Sequence, residues 1–332
     1  MTEPSYKVGD IFLLFTDLPY DFDGDELPLK IFDNLYFDRT PSELLDPKCC
    51  PSSNNERDLL EYAGLVNMVL PGHTLPGVGI VHCCLRYDSG NRNQYSDFEP
   101  QALFSTFITA LRLQVPCRIA VGGIFRFGGD NDPIQGPTLW NLTSPYNPML
   151  LSYSQKDIRI ATSITTELLE IRQSNDENQI KSAFTYFSQV TQGFSYSLQL
   201  SYLGLWASLE AMFQPTGSNK AKTLAKRITV YLSTFGFSQD MEKWFENEYT
   251  HRRSRFIHGS HIAQPNLQNV KSPYAFSKLH EITRLCFLGF LSLEKSQRMQ
   301  ILEQKGKQLQ RTLDNLGQAQ GKFLAQQKMY LK

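Results

Sequence analysis

The chain has 332 residues, of which 41% are hydrophobic and 12% aromatic, enough to bury a sizeable core and to divide into two domains. Its 33 basic and 33 acidic side chains cancel, which excludes a global electrostatic pull toward nucleic acid or membrane, so any phosphate contact must be local. The longest apolar runs, such as Leu285-Cys286-Phe287-Leu288-Gly289-Phe290-Leu291, are too short to span a bilayer. The polar start Met1-Thr2-Glu3-Pro4-Ser5 lacks the apolar core of a secretory signal, so the cytoplasm is the expected address.

The first 150 residues read as an α+β domain. Ile11 to Phe15, Gly77 to Tyr87 and Arg118 to Phe127 are short β-branched or apolar runs bounded by Gly, Pro and Asp, as strands are. Between them, Leu103, Phe107 and Leu111 recur at helical spacing and predict a helix from Glu99 to Leu113. Pro133, Gly136, Pro137, Pro145 and Pro148 then interrupt both helix and strand ladders, which places the domain boundary at about residue 150. The acidic run Asp21 to Glu26 has its glycine at the wrong position for an EF-hand and reads as a turn. No phosphate loop or dinucleotide fingerprint is present around Gly122-Gly123 and Gly128-Gly129.

Six cysteines occur as Cys49-Cys50, Cys83-Cys84, Cys117 and Cys286, a spacing unlike a disulfide framework. With His73 and His82 the pairs could be read as a zinc site or as an enzyme centre of the first domain, but neither C-x2-C nor H-x3-H spacing is present. Thiols packed as small hydrophobes are the expectation, with no metal and no cofactor.

From residue 151 to 295 helical patterns follow one another: Asp157 to Gln173, Glu177 to Gln192, Phe194 to Phe213, Asn219 to Thr234, Gln239 to His258 and Pro273 to Lys295. Ser238 and Ser272 are placed as N-caps, and Gly259 as a left-handed stop after His258. The predicted core is Leu203, Leu205, Trp206, Leu209, Met212, Phe213, Ile228, Tyr231, Trp244, Phe245, Leu285 and Phe287. Glu210, on this otherwise apolar helix, is expected either to pair with an arginine, Arg227, or to join the site described next. Residues 296–332 form a basic, Gln-rich amphipathic tail with Leu302, Leu309, Leu316, Phe323 and Tyr330 at intervals of seven, suited to lying on the bundle, to weak pairing with a second subunit, or to fraying.

Chemistry concentrates in Tyr249-Thr250-His251-Arg252-Arg253-Ser254-Arg255-Phe256-Ile257-His258-Gly259. Arg253 carries a permanent, planar charge that matches a phosphate, and His258 is the side-chain type that titrates near neutrality. On a continuous α-helix these two lie about 140° apart, while Tyr249 stands one turn before Arg253 and Ser254 shares a face with His258. In the last turn of a helix His258 is favoured in its protonated form. Arg252 and Arg255 add positive charge for a phosphate backbone. The plainer reading is that the arginine and histidine cap carbonyls and pair with Glu246 or Glu248.

The order Arg253-x4-His258 resembles the signature of the HEPN superfamily, helical domains that include many metal-independent ribonucleases. Leu205 to Phe213, with its Leu-Glu-Ala-x-Phe pattern, is similar to the apolar helix of the ApeA-like branch, and the Lys- and Ala-rich stretch Lys220 to Arg227 follows in the family's order. The resemblance covers Phe194 to Leu293 and implies an all-α bundle after the α+β domain. It further implies an endoribonuclease that serves in bacterial phage defence or as a toxin. In the implied mechanism Arg253 holds the RNA phosphate, and His258 is general base and acid. Ser254 and Tyr249 support them, Arg252 and Arg255 bind substrate, and no metal takes part. A homodimer through the helical domain is implied too, since the family's site lies between two copies. Active members commonly carry Asn, His or Asp directly after the arginine, where this chain has Ser254, which can still donate and accept a hydrogen bond. The alternative reading is a non-catalytic HEPN module that binds RNA or a partner protein.

Overall fold

The computed structural model describes residues 7–18, 26–41, 83–90, 95, 97–115, 119–127, 134–139, 152–191, 198–215, 219–233, 241–257, 272–291, 293–303, 308 and 311–312. The chain forms two compact units, Met1–Thr165 and Thr166–Lys332. The sequence reading put the boundary at residue 150. The later division follows from what ties the next residues to the first unit. Tyr153 Oη donates to the Val115 carbonyl at 3.1 Å, and Gln114 Nε2 donates to Asp157 Oδ1 at 3.1 Å.

The first unit is α+β. Among the described residues six strands, β1 (Ile11–Asp17), β2 (Leu29–Phe32), β3 (Leu35–Arg39), β4 (Cys83–Tyr87), β5 (Ala120–Phe127) and β6 (Ile134–Leu139), form one sheet in the order β2-β3-β4-β1-β5-β6. Every neighbouring pair is antiparallel. Phe12, Leu13, Leu14 and Phe15 are all buried in succession, so both faces of the central strand are covered, which is why it reads as an unbroken apolar run. Helix α1 (Pro100–Gln114) lies close to its expected bounds and buries Leu103, Phe104, Phe107, Ile108 and Leu111.

Two parts of the sheet differ from the sequence reading. The cluster beginning at Pro133 contains β6, an edge strand paired with β5. Ile124 pairs with Thr138 and Arg126 with Gln135, so Gly136 and Pro137 together oppose Phe125. A bulge on an edge strand is where a proline, lacking an N–H, is tolerated. The hairpin β2–β3 turns through Asp33-Asn34, with Phe32 opposite Leu35 and Tyr36 Oη donating to the Asp33 carbonyl at 2.9 Å.

A buried charge cluster lies on this sheet. Arg86 of β4 donates from Nε to Asp38 Oδ2 at 2.9 Å, stacks 4.4 Å over the Tyr36 ring, and stands 4.0 Å from Asp10. Asp10 accepts the backbone N–H groups of Lys7 and Ser89 at 3.1 and 3.2 Å. Burial nonetheless raises its carboxyl above the ordinary value of 3.8, since those bonds and Arg86 do not offset desolvation.

The second unit is helical. Helix α2 (Gln155–Gln173) begins in the first unit, where Ser154 and Asp157 cap it reciprocally. The Asp157 N–H meets Ser154 Oγ at 3.2 Å, and the Ser154 N–H meets Asp157 Oδ2 at 2.9 Å. After it come α3 (Asn178–Thr191), α4 (Leu198–Phe213), α5 (Lys220–Ser233) and α6 (Met241–Asn247). A π-helical turn (Glu248–Arg253) follows, then α7 (Ser254–Ile257), α8 (Ser272–Leu291) and α9 (Lys295–Glu303). Of the predicted core, Leu205, Trp206, Leu209, Met212, Phe213, Ile228, Tyr231, Phe245, Leu285 and Phe287 are buried. Leu203 and Trp244 are half-buried, Trp244 carrying the Lys278 ammonium 4.5 Å over its ring. Helix α8 crosses Tyr231 at Gly289, where an added Cβ would collide with the phenol.

Buried ion pairs fasten the unit. Arg284 donates to both Glu281 oxygens at 2.8 and 2.6 Å. Arg298 of α9 donates to Glu177 at 2.8 Å, to Glu167 at 2.7 Å and to the Leu293 carbonyl at 2.7 Å. The start of the basic tail is thus built into the bundle, and its heptad positions from Leu309 onward lie outside the described residues. Among the described residues, no helix is long and apolar enough to cross a membrane.

Candidate functional site

The segment expected to run as one α-helix from Gln239 to His258 is α6, a six-residue π turn and the short α7. The i→i+5 hydrogen bonding of a π turn is rare and concentrates at functional sites. Its effect here is geometric. Glu248 and Arg253, five residues apart, would diverge by about 140° on an α-helix, yet both reach α4. Glu248 Oε2 accepts from Tyr202 Oη at 2.8 Å, and Arg253 Nη2 lies 2.6 Å from Glu210 Oε1. Between these polar contacts the buried Trp206 ring meets Phe245 at 6.2 Å and Tyr249 at 5.2 Å, both edge-on.

Arg253 is therefore framed on two sides. Its guanidinium carbon stands 4.5 Å over the Tyr249 ring, and Glu210 meets one terminal nitrogen. Arg253 and Glu210 keep 24% and 27% of their side-chain surface exposed. The Tyr249 phenol is pushed up by burial first and by the Glu210 charge second, so it stays protonated near neutrality and can donate a hydrogen bond. Arg252 pairs through Nε with Glu248 at 3.3 Å, while its buried Nη1 has no hydrogen-bond partner among the described residues. Burial raises the Tyr202 phenol as well. The amide of Ser254 donates to the His251 carbonyl, continuing the turn into α7.

Four of the expected site residues, Tyr249, Arg252, Arg253 and Ser254, lie among the described residues with their side chains. Arg253 and Tyr249 come together, Arg252 lies beside them on the Glu248 side, and Ser254 follows half-buried. His258 and Gly259 lie outside the described residues, as does the side chain of Arg255. Of the two expectations for Glu210, it is the second that the geometry matches: it meets Arg253 and not Arg227. Arg227 Nη1 instead donates to the carbonyls of Phe213 and Gln214, the latter at 2.7 Å, closing the end of α4 where Gln214 takes a left-handed φ of 42°. The plainer reading holds for Arg252, which pairs with Glu248. Tyr202 is the residue missed, and Trp206 was expected only as core. The signal for both was the spacing of Tyr202, Trp206 and Glu210 at every fourth position of one helix.

Protein-family models, curated proteins and solved structures give no match to this chain.

Among the described residues, no cluster of His, Cys, Asp or Glu is arranged to hold a metal ion. Cys83, Cys84 and Cys286 are buried free thiols whose pKa values burial pushes well up, so they are neither thiolate nucleophiles nor ready ligands. His73, His82, Cys49, Cys50 and Cys117 lie outside the described residues.

Proposed function

We propose that residues 166–332 carry a HEPN-type helical module in which Arg253 binds an RNA phosphate, and that the protein is a metal-independent endoribonuclease. One observation carries the reading. The π turn holds a partly exposed guanidinium against an aromatic ring, where two of the bundle's other arginines, Arg284 and Arg298, are buried in ion pairs. A guanidinium so held is suited to a phosphate, which it meets through paired N–H donors.

His258 then removes the proton from the ribose 2'-hydroxyl. The 2'-oxygen attacks its own phosphorus, the 5'-oxygen leaves and takes up a proton from the imidazolium, and a 2',3'-cyclic phosphate remains. Arg253 neutralises the charge that builds on the phosphate oxygens. The need for a 2'-hydroxyl restricts the reaction to RNA. A homodimer in the bacterial cytoplasm, cutting RNA in phage defence, is the setting that suits this chemistry.

A non-catalytic HEPN module that binds RNA or a partner protein is the second reading, favoured by the charge balance. Arg252 and Arg253 are matched by Glu248 and Glu210, so the described site carries no net charge. Incubating the purified protein with single-stranded RNA and a chelator separates the two. Cleavage lost in both Arg253→Ala and His258→Ala supports the nuclease, and salt-dependent binding without turnover supports the module.

A further inference from the structure

We infer that Glu210 is a built-in anion that occupies the Arg253 guanidinium in the resting protein and must be displaced before a phosphate can bind there. The inference rests on the reading of Arg253 as a phosphate-binding group, and it concerns how that site is held closed.

Arginine–glutamate pairs within the same unit differ in how firmly they are held. Arg284 and Glu281 form a two-point fork, with the arginine wholly buried. Arg298 and Glu177 are joined by an aligned hydrogen bond at 3% and 4% exposure. Such pairs are permanent, because opening either one strands a charge away from water. The Arg253–Glu210 pair differs in both respects. It is about a quarter exposed, and Glu210 Oε1 makes no aligned hydrogen bond although the guanidinium nitrogen is only 2.6 Å away. Both side chains reach solvent while the contacting Oε1 is itself shielded, so the pair is a partly screened charge contact without the two-point fork of Arg284 and Glu281.

The chemistry of the exchange follows from the ligand types. Carboxylate and phosphate are the two anions that suit a guanidinium, and phosphate brings more oxygens and more charge. Tyr249 covers one face of Arg253, so an incoming phosphate must approach the N–H edge that Glu210 partly fills. Both anions cannot stay on that edge without repulsion. Glu210 must turn into solvent, which its exposure allows, and its uncompensated charge then opposes the bound phosphate. One phosphate contact is thereby largely cancelled in the wild-type protein.

Binding of a labelled single-stranded oligouridine, followed by fluorescence anisotropy over a range of KCl concentrations, tests this for the full chain. Glu210→Gln keeps the shape and removes the charge. It should tighten binding about two- to fivefold, the worth of an exposed pair. It should also steepen the plot of log affinity against log salt by about 0.7, the increment for one more phosphate contact on a single strand. Glu210→Ala should steepen it equally, and both effects should vanish in the Arg253→Ala background. Unchanged slope and affinity in Glu210→Gln, with Arg253→Ala still weakening binding, would overturn the inference and leave the phosphate reading standing. Binding indifferent to Arg253→Ala with or without Glu210 would overturn both.

Discussion

Arg298→Ala tests whether the helix that opens the basic tail belongs to the bundle. The guanidinium is almost wholly buried, and its removal leaves Glu177, itself 4% exposed, as a carboxylate with no compensating charge. Opening a buried pair from one side costs about 3–5 kcal/mol. Glu167, a third exposed, adds little because water screens it. The Leu293 carbonyl also loses its donor, a further loss of about 1 kcal/mol. Urea unfolding followed through fluorescence of Trp206 and Trp244, both in this unit, should show a midpoint lowered by an amount corresponding to about 4 kcal/mol. Arg298→Met with Glu177→Gln, which removes both charges and keeps most of the volume, should recover more than half of the loss. A loss below about 1 kcal/mol in Arg298→Ala would refute the reasoning, since α9 would then not depend on this anchor.

Two further outcomes follow from packing and burial. Gly289→Ala should destabilise the second unit by about 1–3 kcal/mol in the same unfolding assay, because Tyr231 is buried and its phenol cannot give way. Asp10 has a folded-state pKa raised above 3.8, so its contribution to stability is fully present only below that value and is lost as pH rises through the raised one. The stability of the wild type relative to Asp10→Asn, whose amide does not titrate, should therefore fall as pH rises above about 4, as read by urea midpoints for the first unit at each pH.

The helical unit was legible because its core repeats at helical spacing. Leu205, Trp206, Leu209, Met212 and Phe213 announce α4, and their burial agrees with that pattern. Central strands were equally plain, since Phe12 to Phe15 are apolar without a break. What escaped notice depends on partners distant in sequence. Strands β2 and β3 are four and five residues long, and β3 is held by pairing with β4 and β2 by pairing with β3 rather than by their own composition. Strand β6 was hidden by Pro137, which is acceptable there only because the strand lies at the sheet edge with a bulge. The π turn leaves no mark on residue type. Its Tyr249 and Arg253 meet Trp206 and Glu210 of another helix, and it brings Glu248 and Arg253, five residues apart, to that same helix. Arg227 and Arg253 are equally plausible mates for Glu210 by sequence, and only the path of the chain separates them. Arg298 sits in a Gln-rich stretch that by sequence could lie on the bundle, pair with a second subunit or fray, and its glutamate partners stand more than a hundred positions away.

The central claim is that Arg253 and His258 cut RNA without a metal. The most direct measurement is the rate at which the full chain, in excess chelator, converts a single-stranded RNA to fragments ending in 2',3'-cyclic phosphate. The account predicts cleavage by the wild type that falls by at least about a hundredfold in His258→Ala, and is likewise lost in Arg253→Ala while circular dichroism stays unchanged. Cleavage that persists in both variants, or that requires an added divalent ion, would contradict it.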